Sequence, residues 1–161
     1  MVVVTIVAIL AAISLPMLGT YINRSRATEA TGFLSEIKAR QESYRFDFGM
    51  YCDVSSGAMN LWPTVTPPRG RTQAWAPDPK WNTLGATPAG RSSLFVYSTT
   101  AGVPGTQPAF PGANPARGYA TDDFWFISMA VGDVDGDGIT MMIESYSHSK
   151  GLWVSTGDNV E

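Results

Sequence analysis

The chain opens on an apolar run, Met1 to Gly19, that carries no charged side chain and is interrupted only by Thr5, Ser14 and Pro16. Leaving such a run in water would cost on the order of 25 cal/mol per Å², so it must be buried in lipid or in other protein. After Gly19 the pattern changes without losing helical spacing. Ala30, Leu34, Ile37, Gln41, Tyr44 and Phe48 recur at three- and four-residue steps, while Glu29, Glu36, Lys38, Arg40, Glu42 and Arg45 fall mostly between them. Together the two stretches predict one helix over residues 1–50, apolar on every side in its first half (1–19) and on one side in its second. Glu36 precedes Arg40 by four residues, the favourable order for a surface pair. Gly49 is the expected stop, and Pro16 predicts a kink or an unwound stretch. Arg24 and Arg26 stand where a membrane interface would place positive charge.

The remainder, residues 51–161, is read as a separate globular head. Between Cys52 and Ala120 the segments TPPRGR, APDPK and VPGTQPAFPGANPARG are turn-forming, with little room for helix. Within them SLFVYSTT (93–100) reads as a strand. Trp62, Trp75 and Trp81 are expected to fasten these loops onto helix and sheet; an aromatic platform for sugar or single-stranded nucleic acid is the alternative. Further on, DFWFISMAV alternates, with Trp125, Ile127, Met129 and Val131 on one side and Phe124, Phe126, Ser128 and Ala130 on the other. It is followed, after GDVDGDG, by ITMMIESYS, so that 123–147 reads as a β-hairpin. A short strand near Leu152 to Ser155 would complete an antiparallel sheet against the helix. The fold class is therefore α+β.

The first third of the chain resembles the N-terminal helix of type IV pilins and of the related type II secretion pseudopilins. The resemblance rests on Ala11, Ala12, Ile13 and Pro16, which match the family's A-A-I-x-x-P segment. It rests also on Gln41, Glu42, Ser43 and Tyr44, followed by an aromatic-and-glycine ending at Gly49 and Tyr51. Family members carry a phenylalanine-like residue and a glutamate near the mature start. Aligning on Pro16 places both before Met1, so the expectation is a chain that begins inside the mature protein; the alternative is Met1 as the mature start, which would put Thr5 where the family has its acid. The resemblance implies a structural subunit, the major pilin of an extracellular filament. Val4, Ile6, Ile9, Leu10, Ala11, Ala12, Ile13, Leu15 and Pro16 would then form the filament core. It further implies a single-pass location in a bacterial inner membrane before assembly, processing by a prepilin peptidase, and an assembly platform. The partners would be copies of the chain itself, repeated by a contact that does not close.

The connection between the last two long strands holds a second motif. Asp133, Asp135, Asp137, Gly138 and Glu144 fit the calcium-loop pattern D-x-D-x-D-G-x5-E. If Ile139 to Tyr146 is extended, however, Glu144 lies roughly 20 Å past Gly138, too far to close the loop. A helix-loop-helix sensor is not expected. Two readings stay open: a structural calcium on the three aspartates, completed by backbone oxygens, water or a neighbouring subunit, and a solvated turn.

Composition excludes several classes. The formal net charge is −3, with eight acids against Lys150 alone in the last forty residues, so nucleic acid is not the default partner. That acidic end would either set filament register against a basic patch or simply keep the head soluble. Cys52 is the only cysteine, so no intrachain disulfide forms, and it reads as a small buried hydrophobe. His148 is the only histidine and reads as a solvated loop residue; no catalytic constellation accompanies it, so no enzyme is expected. Within the family the competing function is a type II secretion major pseudopilin. Outside it stands an anchored ligand-binding module that does not polymerise.

Overall fold

The computed structural model describes residues 2–56, 60–106 and 122–155; among residues 2–20, side chains are described at 2–7, 9 and 10. Helix α1 runs Val2–Phe48. It passes Pro16 without an unwound stretch, which corrects that half of the expectation: a proline removes one amide bond, and the turns on either side carry the helix across. The helix stops where expected. Gly49 takes a left-handed φ of 75°, a conformation open to a residue without Cβ, and its N–H donates to the Arg45 carbonyl at 2.8 Å.

The second half of α1 lies on one face of a four-stranded antiparallel meander. Its strands are β3 (Val96–Gly102), β4 (Trp125–Gly132), β5 (Met141–Tyr146) and β6 (Leu152–Val154), in that spatial order. Ala27, Ala30, Phe33, Leu34 and Ile37 of the helix form one core with Tyr97, Ala130, Met141 and Ile143 of the sheet. Full burial of a Leu or Ile side chain is worth about 1.5–3 kcal/mol, so this stripe holds the helix on the head. The stripe ends one turn early: Phe48 is 62% exposed, its ring meeting that of Tyr44 with centroids 4.4 Å apart. Glu36 and Arg40 do pair, at 3.7 Å, on the exposed side.

The register confirms the alternation read from β4. Val96 pairs with Val131, which pairs with Met142, and these side chains cluster with Met129 and Leu61 on the face away from the helix. Trp125, Ile127 and Tyr146 continue that face and pack with Trp153. The second strand of the hairpin starts at Met141, two residues later than its apolar run suggests, because Ile139 belongs to the turn and is exposed.

The loop-rich region is more structured than its proline and glycine content implies. Strands β1 (Gln73–Ala74) and β2 (Ser92–Ser93) pair antiparallel, and helix α2 spans Pro79–Leu84. The sequence signal for α2 is the Asp-Pro step. Asp78 is the N-cap, its carboxylate accepting from the amides of Lys80 at 2.9 Å and Trp81 at 3.0 Å, and Pro79 occupies the first helical position, where no amide is needed. The expected 52–120 loop thus holds a short helix; residues 57–59 and 107–120 of it lie outside the described part. Trp75 and Trp81 fasten this region to the stalk, meeting Phe33 at 5.6 and 6.4 Å. Trp62 pairs with Tyr97 through two backbone hydrogen bonds of 2.8 Å.

The C-terminal turn of α1 is tied to the start of β4 by charge. Arg45 donates to both carboxylate oxygens of Asp123, at 3.0 and 2.8 Å, and to the Tyr51 hydroxyl at 2.9 Å, with its guanidinium 5.0 Å from the Tyr51 ring centroid. The hydrogen bond from Arg45, with a second from the Phe124 amide, holds the Asp123 carboxyl below its ordinary value. A carboxyl lowered in the folded state stabilises above its unfolded pKa and loses that contribution as pH falls through its folded one. Asp123→Asn is therefore expected to lower the melting temperature near neutral pH, and the difference should disappear as pH falls through the lowered pKa of the folded carboxyl. A difference that persists in acid would place the effect outside this ion pair.

Candidate functional site

Two features of the described chain are candidates for a role beyond folding. The first is the stretch of α1 that precedes its packed half. Val2, Val3, Val4, Ile6, Val7, Ile9 and Leu10 are each between 52% and 73% exposed. Ala11, Ala12, Ile13, Leu15 and Pro16 complete the apolar set expected from sequence, but their side chains lie outside the described residues. Contiguous apolar exposure of this kind marks a surface that another molecule or a membrane covers. Among the described residues, no helix is long and apolar enough to cross a membrane. Arg26, expected at a membrane interface, instead donates to the Val134 carbonyl at 2.6 Å, because the packed part of the helix already begins at that level.

The second feature is the turn between β4 and β5. One carboxylate oxygen from each of Asp133, Asp135 and Asp137 lies within 4.8 Å of the others. The turn winds around its own side chains. Asp133, 2% exposed, accepts from the amides of Gly136 at 2.8 Å and Gly138 at 3.1 Å; Asp135 accepts from the Asp137 amide at 3.2 Å and Asp137 from the Ile139 amide at 2.7 Å. Gly136 and Gly138 have φ of 88° and 94°, which lets the chain double back so tightly. From outside, the Gly70 amide donates to the Asp133 carbonyl at 2.8 Å and buttresses the turn.

Calcium binds oxygens at about 2.3–2.6 Å, so two ligands of one ion stand up to about 5 Å apart. The three aspartates meet that spacing. They supply three of the six to eight oxygens a calcium ion takes, the rest falling to backbone and water. Glu144 does not join them. It sits in β5, fully buried, paired in register with Met129 and Trp153, and its carboxylate accepts from the Tyr146 hydroxyl. The letter match to the calcium loop therefore stops at Gly138, as strand geometry requires.

Other expected positions fall where the residue chemistry put them. Cys52 is buried just past the helix, and burial pushes its thiol up, away from the reactive thiolate. His148 is exposed, its Nε2 3.2 Å from the Phe124 carbonyl. Two residues escaped the sequence reading. Phe33, adjacent to the stripe, is the centre of an aromatic cluster with Trp75, Trp81 and Tyr97. Gln41, counted in the stripe as though apolar, is a fully buried hydrogen-bonding group. Its only sequence signal was a polar residue at an apolar position.

Comparison with protein-family models, with curated proteins and with solved structures finds no match to this chain.

Proposed function

We propose that this chain is a structural subunit of the type IV pilin kind, polymerising through the apolar half of α1 into an extracellular filament. The observation that supports the reading best is the run of exposed aliphatic side chains from Val2 to Leu10 on a helix whose other half is sunk into the head. A helix of this form can rest in a membrane as a monomer, or against copies of itself, and a repeated contact that does not close yields an open helical polymer. On this reading the subunit waits in a bacterial inner membrane, is processed by a prepilin peptidase, and is delivered by an assembly platform. It serves attachment, movement or uptake and performs no catalysis. Cryo-electron microscopy of material sheared from producing cells tests it: fibres whose density fits this chain, with the apolar run in the core, are expected.

The aspartate turn favours a second reading within the same family. Pseudopilins of type II secretion often hold calcium in the C-terminal region, and Asp133, Asp135 and Asp137 have the spacing to share one ion. A protein retained in the inner membrane with nothing in the shear fraction would select this reading, or an anchored module that does not polymerise. The calcium itself is tested separately. About 10 mM Ca²⁺ is expected to raise the melting temperature by linkage, and Asp137→Asn to remove most of that rise. Equal melting curves with calcium and with chelator would leave a solvated turn.

A further inference from the structure

Away from both features, Trp75, Pro77, Asn82, Thr87 and Arg91 line an open hollow of about 250 Å³. Drug-sized ligands occupy about 300–1,000 Å³, so this hollow takes a single ring. Its walls are fixed from behind. Trp75 is half-buried, with Trp81 edge-on at 5.1 Å and Phe33 edge-on at 5.6 Å, so its ring cannot fold away. The Trp75 amide donates to the Arg91 carbonyl at 2.9 Å, and Ala74 pairs with Ser92, which couples the two sides of the hollow.

Arg91 is the unusual member. Its φ is 53°, one of two positive values among the described non-glycine residues, and it follows Gly90 at 76°. Side-chain-bearing residues avoid this region, and where they hold it the strain tends to serve a site. The Arg91 side chain is exposed, and among the described residues its guanidinium makes no hydrogen bond or ion pair. A strained backbone thus presents an unused planar cation beside a braced indole.

We propose that this hollow is a binding subsite for one ring of an acidic polysaccharide. The C–H face of the pyranose lies on Trp75, the uronate carboxylate takes the fork of Arg91, and Asn82 and Thr87 meet ring hydroxyls. A guanidinium and a carboxylate match as two parallel charge-assisted hydrogen bonds. A stacked nucleobase would also fit an indole, but single-stranded nucleic acid is held by several cations along a groove. Here one arginine stands in the hollow, on a chain of formal net charge −3. The proposal does not depend on polymerisation.

Tetragalacturonate titrated into the full chain in detergent micelles, followed by calorimetry, is the test. Saturable binding is expected, weakened about tenfold or more by Arg91→Gly. Glycine suits the left-handed backbone, so this variant should melt at the same temperature or higher. Asn82→Asp, which sets a carboxylate on the exposed rim of the hollow without touching that backbone, should weaken binding as well. Three results overturn the proposal: no saturable binding of tetragalacturonate, unchanged binding by Arg91→Gly and Asn82→Asp, or equally tight binding of cellotetraose or oligothymidylate.

Discussion

Replacing Ile9 with aspartate is expected to abolish fibres while leaving the head folded. Ile9 is 56% exposed in the isolated chain and sits on the part of α1 that precedes the packed stretch, whose first core residue is Ala27. The head therefore does not sense the change, and its melting curve should match that of the parent. Assembly does sense it, because polymerisation would carry the new carboxylate into an apolar core, and an unpaired buried charge costs several kcal/mol. In a filament built by adding one subunit upon another, such a cost would recur at every addition. The proposed function would make membrane insertion a separate requirement, and an aspartate at the centre of a spanning helix costs about 2.5–3.5 kcal/mol. The experiment therefore reads three quantities: melting temperature of the purified chain, amount in the inner-membrane fraction, and fibres in the shear fraction. Variant protein retained in the membrane, with fibres lost, supports packing of the apolar run in the filament. Ile9→Val, which keeps the apolar surface, should assemble normally. Fibres of normal yield from Ile9→Asp would remove the core-packing argument.

The second large effect concerns Gln41, and it acts on the head. Its side-chain amide donates to the Cys52 carbonyl at 2.8 Å and to Thr99 Oγ1 at 3.0 Å, while its oxygen accepts from the Cys52 amide at 2.8 Å. Ser128 Oγ in turn donates to Thr99 Oγ1 at 2.8 Å. One glutamine thus serves both backbone groups of Cys52 as a neighbouring strand would, and it joins the chain leaving α1 to β3 and β4. Gln41→Leu keeps the volume and strips these bonds. Each buried group left without a partner costs about 1–3 kcal/mol, so a loss of about 2–5 kcal/mol is expected. For a chain of this size that is on the order of 5–15 °C in melting temperature. Ile37→Val, one turn away in the same stripe, removes a methylene without orphaning any polar group and should cost about 0.5–1.5 kcal/mol. A Gln41→Leu cost no larger than that of Ile37→Val would mean that the amide is not the pin.

These two predictions also separate what periodicity reveals from what it hides. Period-3.6 spacing located Ala30, Leu34, Ile37 and Gln41 as one buried face, because helical geometry sets that face before any partner is chosen. It could not say that Gln41 binds Cys52, since the bond depends on how the chain turns after Gly49. Likewise Arg45 and Asp123 are 78 residues apart, and no local pattern links them. Phe48 followed the spacing and is nonetheless exposed, because a stripe is buried only as far as a surface exists to cover it. The calcium pattern divides in the same way, as the strand spacing predicted. Its aspartates share a tight turn, which is a local property, whereas its glutamate belongs to a strand whose register places it opposite Met129.

The sequence by itself determined the helix and its stop at Gly49, the β4–β5 hairpin with its two-faced alternation, the short last strand, and the apolar run that demands cover. All of these follow from spacing, side-chain polarity and backbone preference within a few residues. Only the tertiary structure decided where the stripe ends, which buried polar groups meet, that α2 and the β1–β2 pair organise the tryptophan loops, and that Arg91 stands beside Trp75 with no partner for its guanidinium among the described residues. Those outcomes rest on contacts between distant segments, whose free energy is fixed by the surface each segment finds when the chain closes.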